Sequence, residues 1–426
     1  MVQLASGVLP RHAVSYLWAA FVSIGIFGFY TSLLPYLLNV NLHIPPASRG
    51  VVSGNLQFWQ EVVSLIVICV AGAASDRVGR RAIYVLGFIV MALAYATCPF
   101  ADDYGQLLAY RMIFAVGVAL LGAMLQVVLA DYPIDADRGK LAGIAIFLNT
   151  LGALLFLTLL SGLPSIFRAR GLTELWAGRA SYLSVGAVCA VSALVMLGLR
   201  PGRPERLSPK LPLWTLIRRG VGAARQPRIA LAYGASFNAR ADLVIMTLFL
   251  ALWAQDSALA DGFSPGEAAQ KQGILFGIIQ GSALLWAPVF GWLADRLNRV
   301  TTMIIAIVLS IIGYGWMGLI DHPLRASAIP AAVMMGIGQI SGILATQVLA
   351  GQEAPGPVRG AVVGMLVFFG AAGILVISRA GGYAFDHWMP GAPFVIMALA
   401  NLALLFFALY VRAYAPGAAA TGPPSD

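Results

Sequence analysis

Twelve apolar segments, each about 20 residues or longer, fill this chain almost end to end and leave it very few ways to fold. They lie at about 14–38, 52–75, 81–101, 105–131, 140–166, 178–199, 229–254, 270–294, 299–320, 327–350, 358–384 and 391–412. Each is long enough to cross roughly 30 Å of hydrocarbon, and irregular backbone cannot face lipid, so each segment must be a helix. Composition agrees: 60% of residues are hydrophobic and only 11% charged, too few to cover a soluble protein of 426 residues. The first segment is too long for a signal-peptide core and lacks a cleavage site before the second, so it reads as a retained helix. The expected class is an all-α membrane protein with twelve transmembrane helices.

The placement of charge sets the expected orientation. With twelve spans both termini share a side, and 18 Lys/Arg fall there: Arg11, those at 77–81, 138–140 and 200–228, and Arg296, Arg299, Arg359 and Arg412. The other side carries six: Arg49, Arg168, Arg170, Arg179, Lys271 and Arg325. The positive-inside rule then places both termini in the cytoplasm. The net charge of +9 is thus topological and makes no case for nucleic acid. Cys69, Cys98 and Cys189 sit on different spans, and no histidine has a partner at ligand spacing, so no metal is expected. No Walker loop, catalytic triad or paired carboxylates appear either, which argues against an ATP-driven pump or an enzyme, and no cofactor is implied.

The segments fall into two sets that repeat. Gly72, Asp76-Arg77 and Gly79-Arg80-Arg81 return as Gly291, Asp295-Arg296 and Asn298-Arg299, a shift of 219 residues. Arg138-Gly139 with Gly143 returns as Arg359-Gly360 with Gly364, a shift of 221. On the same offsets Gly54 falls on Gly273, Glu61 on Gln280, Gly117 on Gly338 and Gln126 on Gln347. The expected organisation is a six-helix bundle over 1–199, a linker over 200–228, a second bundle over 229–415 and a disordered tail over 416–426. Within the linker, LWTLIRRGVGAA reads as an amphipathic run along the headgroups, with Trp214, Leu216 and Ile217 toward lipid and Arg218 and Arg219 toward phosphate.

These loops resemble the signature of the major facilitator superfamily. GAASDRVGRR is a near-complete copy of the family's loop between the second and third helices. GWLADRLNR is a good copy of its partner between the eighth and ninth, with Asn298 in place of glycine. The run from Asp131 to Gly143 looks like the fourth-to-fifth-helix loop, and Gln352 to Gly364 is its degraded counterpart. The resemblance spans the whole chain and implies two pseudo-symmetric six-helix bundles, each of inverted three-helix repeats, with substrate bound between them near the midplane. It also implies that Asp76 and Asp131, with Arg77, Arg80, Arg81 and Arg138, form a latch that holds the outward-open state. Independently, Asp76 at the end of a helix opposes the helix dipole and needs a cation, and a charge cluster that pairs in one state and parts in another can act as a latch. Topological determinants and helix caps are the plainer reading of the same residues. The GxxxG steps at Gly139 and Gly360 allow close helix packing, more naturally within the chain than between copies, so a monomer is expected.

Charges inside spans are costly and mark candidate sites. They occur in the second, fourth, seventh and eleventh spans, and the third, sixth, ninth and twelfth have none in their cores. In the family the latter four helices are peripheral. Glu61 lies near the midplane, roughly 13 Å into its span, opposite the neutral Gln280. It reads either as a proton-exchanging carboxyl or as a structural partner for an arginine. The family places an arginine where Arg111 stands, but RMIFAVG departs from its R-x-x-Q-G-x-G pattern, which leaves a relay role open. In the seventh span, Arg240 and Asp242 are two residues apart, so they face different ways and each needs its own partner; Asn238 lies beside them. Arg240 is an anion site or half of a buried ion pair. Arg379, near the outer end of the eleventh span, reads as snorkelling or pairing with Asp386 before touching substrate. Gln126 and Gln347 line a route or act as helix glue. Tyr30, Tyr36 and Trp286 are packing or interface anchors before they are pocket walls.

The expected function is alternating-access secondary transport, coupled to protons through Glu61 or Asp242, of a small organic anion or zwitterion. The membrane expected is the bacterial inner membrane. A drug efflux antiporter is the alternative, weakened because GIAIFLNTLGALLFLTLLSG lacks the GPxxGG element of many such carriers. A transporter-like receptor would carry a folded cytoplasmic domain, which this sequence does not show.

Overall fold

The fold is described from a computed structural model, over residues 3–134, 137–202, 213–353 and 359–415. The linker stretch 203–212 and the tail 416–426, for which a linker and disorder are expected, lie outside the described residues. The elements are almost all helical: α1 (Pro10–Ser32), α2 (Leu34–Val40), α3 (Arg49–Val78), α4 (Arg80–Thr97), α5 (Tyr104–Asp131), α6 (Arg138–Leu159), α7 (Leu163–Ala169) and α8 (Glu174–Val195). There follow α9 (Leu213–Ala223), α10 (Pro227–Val244), a π-helical turn Ile245–Phe249, α11 (Leu250–Ala260), α12 (Pro265–Arg296), α13 (Arg299–Gly318), α14 (Ile329–Glu353), α15 (Arg359–His387) and α16 (Ala392–Tyr414). Taken as continuous spans, twelve of these helical stretches are long and apolar enough to cross a membrane, as the twelve apolar segments require.

Local chemistry marks where the helices begin. Proline at the first turn opens α1 and α10, where its missing N–H is not needed. The side chains of Asp103 and Thr173 accept from Gln106 N and Trp176 N and cap α5 and α8. Ahead of α1, the Ala5 N–H donates to the Tyr132 carbonyl at 2.9 Å and the Gln3 N–H donates to Asp137 Oδ2 at 2.6 Å. This straps the N-terminal segment to the α5–α6 loop.

The chain divides into two compact units. The first comprises Met1–Arg49, Asn55–Ser208 and Ala254–Gly277; the second comprises Gly50–Gly54, Pro209–Trp253 and Ile278–Asp426. In the first, α1 packs on α6, and α4 packs between α5 and α8. In the second, α10 packs on α15, and α13 packs between α14 and α16, the same arrangement. The crossings match residue for residue. A Cβ on Gly152 of α6 would strike the Phe21 carbonyl of α1, and one on Gly373 of α15 would strike the Phe237 carbonyl of α10. Gly152 and Gly373 are 221 residues apart, the offset read from the loops. Only a residue without a side chain lets the two backbones approach so closely.

The peripheral helices carry lipid-facing stripes at helical spacing. Leu86, Ile89 and Leu93 line one on α4, and Leu399, Leu402 and Phe406 line one on α16. Opposite faces bury Tyr84, Phe88 and Met91 in the first unit and Leu404, Ala408 and Val411 in the second.

Candidate transport site

In the first unit the fully buried charge at membrane depth among the described residues is Arg111 of α5. Its Nη2 donates to Gln57 Oε1 of α3 at 2.9 Å and to Thr31 Oγ1 of α1 at 3.2 Å. Its guanidinium carbon lies 5.1 Å from the Tyr30 ring centre and 5.5 Å from that of Phe114. These two rings stack on each other at 3.8 Å, inside a buried aromatic cluster with Phe29, Tyr95 and Tyr182. The rings give the cation an electrostatic partner in a dry site. They supply no acceptor, and Arg111 Nε and Nη1 have no hydrogen-bond partner among the described residues. A buried guanidinium with two open donors still has hydrogen-bonding capacity for an acceptor.

Glu61 is half-buried on α3, one turn beyond Gln57, so the carboxyl and the arginine's amide partner share a helix face. Gln60 beside it is buried, with an unpartnered Oε1. Gln126 is exposed and 15 residues along α5 from Arg111, about 22 Å away along the axis, so the two do not form one site.

In the second unit α10 spreads three polar side chains over different faces. The Asn238 Nδ2 donates to Asn401 Oδ1 of α16 at 3.0 Å, which ties those helices together. Arg240 is exposed, and its stem packs where a Cβ on Gly370 of α15 would lie. Asp242 is buried near the Tyr314 hydroxyl of α13, and among the described residues neither its Oδ1 nor that hydroxyl has a hydrogen-bond partner. The π-helical turn Ile245–Phe249 begins three residues later. Such turns break helical regularity and are frequent at functional sites. Gln280 of α12 is half-buried, with Oε1 unpartnered, and Gln347 of α14 is exposed. Trp286 Nε1 donates to Ser341 Oγ at 3.0 Å, and the Tyr36 hydroxyl donates to Glu174, so both aromatics serve packing.

The first loop motif closes on a single cation. Arg80 Nη1 meets Asp76 Oδ1 at 2.5 Å and Ser75 Oγ at 2.6 Å, while its Nε meets Asp131 Oδ2 at 3.0 Å. One planar guanidinium thus joins the end of α3 to the end of α5, which suits the fixed fork of arginine. Arg77 is exposed and Arg81 half-exposed; Gly72 has open space where its Cβ would stand. The second motif is built differently. Asp295 is exposed, Arg296 stacks on the Trp292 ring at 4.0 Å, Gly291 faces open space, and Arg299 opens α13. The side chains of Arg138 and Arg359 lie outside what is described.

Sequence reading did not find Thr31, Gln57 or Tyr314, because lone neutral residues in apolar helices carry no signal of their own. Nor did it find that Asp386 accepts from the Gly50 and Val51 N–H groups, at 2.8 and 2.7 Å, and so caps the start of α3.

A duplicated six-helix unit, with buried polar groups in each copy and charged loops at the helix ends, fits the class of membrane transporters. The profile of the Major Facilitator Superfamily matches residues 16–278 and 257–425, and the chain belongs to that family. It is a transporter and not an enzyme. The magnetosome protein MamH of Paramagnetospirillum magneticum is 28% identical over 407 residues, which are 94% of this chain and 92% of MamH. The magnetosome protein MamZ of the same organism is 26% identical over 90% of this chain, which spans only 60% of MamZ. Among solved structures, the nucleoside transporter NupG superposes with a TM-score of 0.72 at 15% identity, over 95% of this chain and 100% of NupG. That identity speaks for the fold alone.

Proposed function

We propose that this chain works by alternating access between its bundles, 1–199 and 229–415, and moves a small organic anion or zwitterion coupled to protons. The observation that carries this reading is Arg111, fully buried with two open guanidinium donors. An acidic group of a substrate fits those donors, with Gln57, Thr31 and the carboxyl of Glu61 beside them. Asp242 supports the proton step. A buried carboxyl at membrane depth is costly as a fixed anion, which suits a group that carries a proton across. Glu61 remains the second carrier. The Arg80 cluster is the conformational latch of this scheme.

Proteoliposomes containing the purified protein, challenged with pools of organic acids, amino acids, sugars and cationic drugs, test the proposal with a pH electrode. An organic acid or amino acid moving with protons is the expected result. Asp242→Asn should lose the proton flux and keep substrate binding. Loss of flux only in Glu61→Gln moves the carrier to Glu61. Flux with cationic drugs alone replaces the reading with efflux, and substrate movement without protons in any variant ends the coupling proposal.

The protein acts as a monomer in a bacterial inner membrane with both termini in the cytoplasm. Its full-length similarity to MamH supports a more particular address, the magnetosome membrane. A fluorescent fusion in the native cell distinguishes the two: signal in line with the magnetosome chain supports the second, and an even cell outline supports the first.

A further inference from the structure

The outer surface of the first unit holds a groove whose lining includes neither Arg111 nor its partners. It runs between the peripheral helices α4 and α8, as a cavity of about 490 Å³ continuous with a second of about 250 Å³ through Val85, Ile89 and Leu197. Its floor is low because alanines stand where larger residues would fill it: Ala82 and Ala92 on α4, Ala190 and Ala193 on α8. Its rims are the exposed side chains of Leu86, Ile89, Leu194 and Leu197. A groove with such rims opens on hydrocarbon.

One end of the groove is polar. Arg81 lines it, half-exposed and with no ion-pair partner among the described residues. Beside it Gly79, in the positive-φ region at +105°, starts α4 without any side-chain cap. The neighbouring Arg80 is spent on Asp76 and Asp131, so among the described residues lining this end, which also include Pro201 and Gly202, Arg81 is the cation left to the groove. From Arg81 to Ala92 the groove follows eleven residues of helix, about 16 Å at 1.5 Å per residue. Half of a hydrocarbon core is about 15 Å. The groove therefore has the length of one leaflet, with its charge at the headgroup level.

We propose that this groove is a binding site for one anionic phospholipid, with an acyl chain between α4 and α8 and the phosphate at Arg81. The match of charge to one end and apolar length to one leaflet selects this occupant over a second copy of the chain, which would need a complementary ridge and no cation. Anionic lipid gains about 1 kcal/mol per basic residue at the surface, equivalent to roughly fivefold in affinity.

The test is native mass spectrometry of the full chain released from bilayers of equal phosphatidylglycerol and phosphatidylcholine. Wild type should retain one phosphatidylglycerol, about fivefold in preference to phosphatidylcholine. Arg81→Gln should lose the preference but keep a bound lipid. Ala190→Trp, at an exposed position inside the groove, should lower retention of both lipids. Glycerol phosphate, the headgroup without chains, should not compete. Equal retention of the two lipids by wild type, or a preference unmoved in both variants, overturns the site. Competition by glycerol phosphate would reduce it to a soluble-anion site, and a lipid-independent dimer lost in Ala190→Trp would make the groove an interface between copies. A phosphatidylglycerol with a photoreactive chain end gives a readout that does not depend on retention: its label should map near Ala92 and Ala190, and label spread evenly over α16 contradicts the proposal.

Discussion

The first unit buries a guanidinium and the second buries a carboxyl. Arg111 sits in a ring of aromatics with two open donors, and Asp242 sits opposite a tyrosine with an open acceptor. The backbones around them repeat, as the Gly152 and Gly373 crossings show. Duplication here has kept the packing, which a single methyl would break, and let the polar chemistry diverge. The loops diverge in the same way. The first copy gathers three side chains on Arg80, and the second leaves Asp295 in solvent with Arg296 on a tryptophan. Where the first loop turns through Gly79 at φ +105°, the second turns through Asn298 at φ −59° and caps α13 with its side chain, Val300 N–H to Oδ1 at 3.0 Å.

The largest effect expected from breaking this asymmetry is at Arg111. Arg111→Ala should lower initial substrate uptake by about two orders of magnitude, the scale of losing charge-assisted hydrogen bonds. Arg111→Lys should not rescue it, since a point charge cannot present the same fork of donors. Uptake by Arg111→Lys near the wild-type rate contradicts the role given to the guanidinium. Next come the loops. Arg80→Gln should slow transport several-fold by removing two pairs at once, about 1 kcal/mol or more of bias between states. Asp295→Asn should leave the rate within experimental error. Equal slowing by the two would erase the distinction between the copies.

Stability measurements sharpen the same contrast. Gly79→Ala places a side chain in a backbone region kept for glycine and should cost about 1–3 kcal/mol in thermal unfolding in detergent. Asn298→Gly should cost only a few tenths, and Asn298→Ala about 1 kcal/mol. The smallest effect is at Asp137, outside the spans, whose carboxyl is held below its ordinary value by Lys140 first and by the Gln3 N–H second. Its stabilisation is present above the ordinary carboxylate range near pH 4 and is lost as pH falls through the lowered value. The deficit of Asp137→Asn relative to wild type should therefore shrink below about pH 4. A deficit that grows on acidification would show the sign to be wrong.

Much of this was legible in the sequence. Helix number follows from the length of apolar runs, and the repeat from glycines and loop charges on offsets of 219 and 221. The structure adds that Gly117 and Gly338, paired by the second of these, both press on the preceding helix, at Met91 and Ser310. The wide spread of Arg240 and Asp242 also followed from helical geometry. What remained hidden was the partner of each charge. Gln57 and Thr31 reach Arg111 from positions 54 and 80 residues away, and Tyr314 reaches Asp242 from another helix. A neutral side chain in an apolar helix has the same hydropathy signature whether it meets a guanidinium or lipid.

The π-helical turn after Asp242 has a genealogical consequence. The paired crossings set a ruler between the copies: Phe21 to Phe237 is 216 residues, Gly54 to Gly273 is 219, and Gly117 to Gly338 is 221. The second copy has thus lengthened by three residues somewhere after Phe237 and before Gly273. A turn bonded from i to i+5 stores one residue more than an α-helical turn, without disturbing the helix on either side. In the first copy the same stretch falls at Leu33, where α1 stops and α2 begins. The π-helical turn accounts for one of those three residues and puts it next to the carboxyl, at the position where the first copy breaks its helix instead.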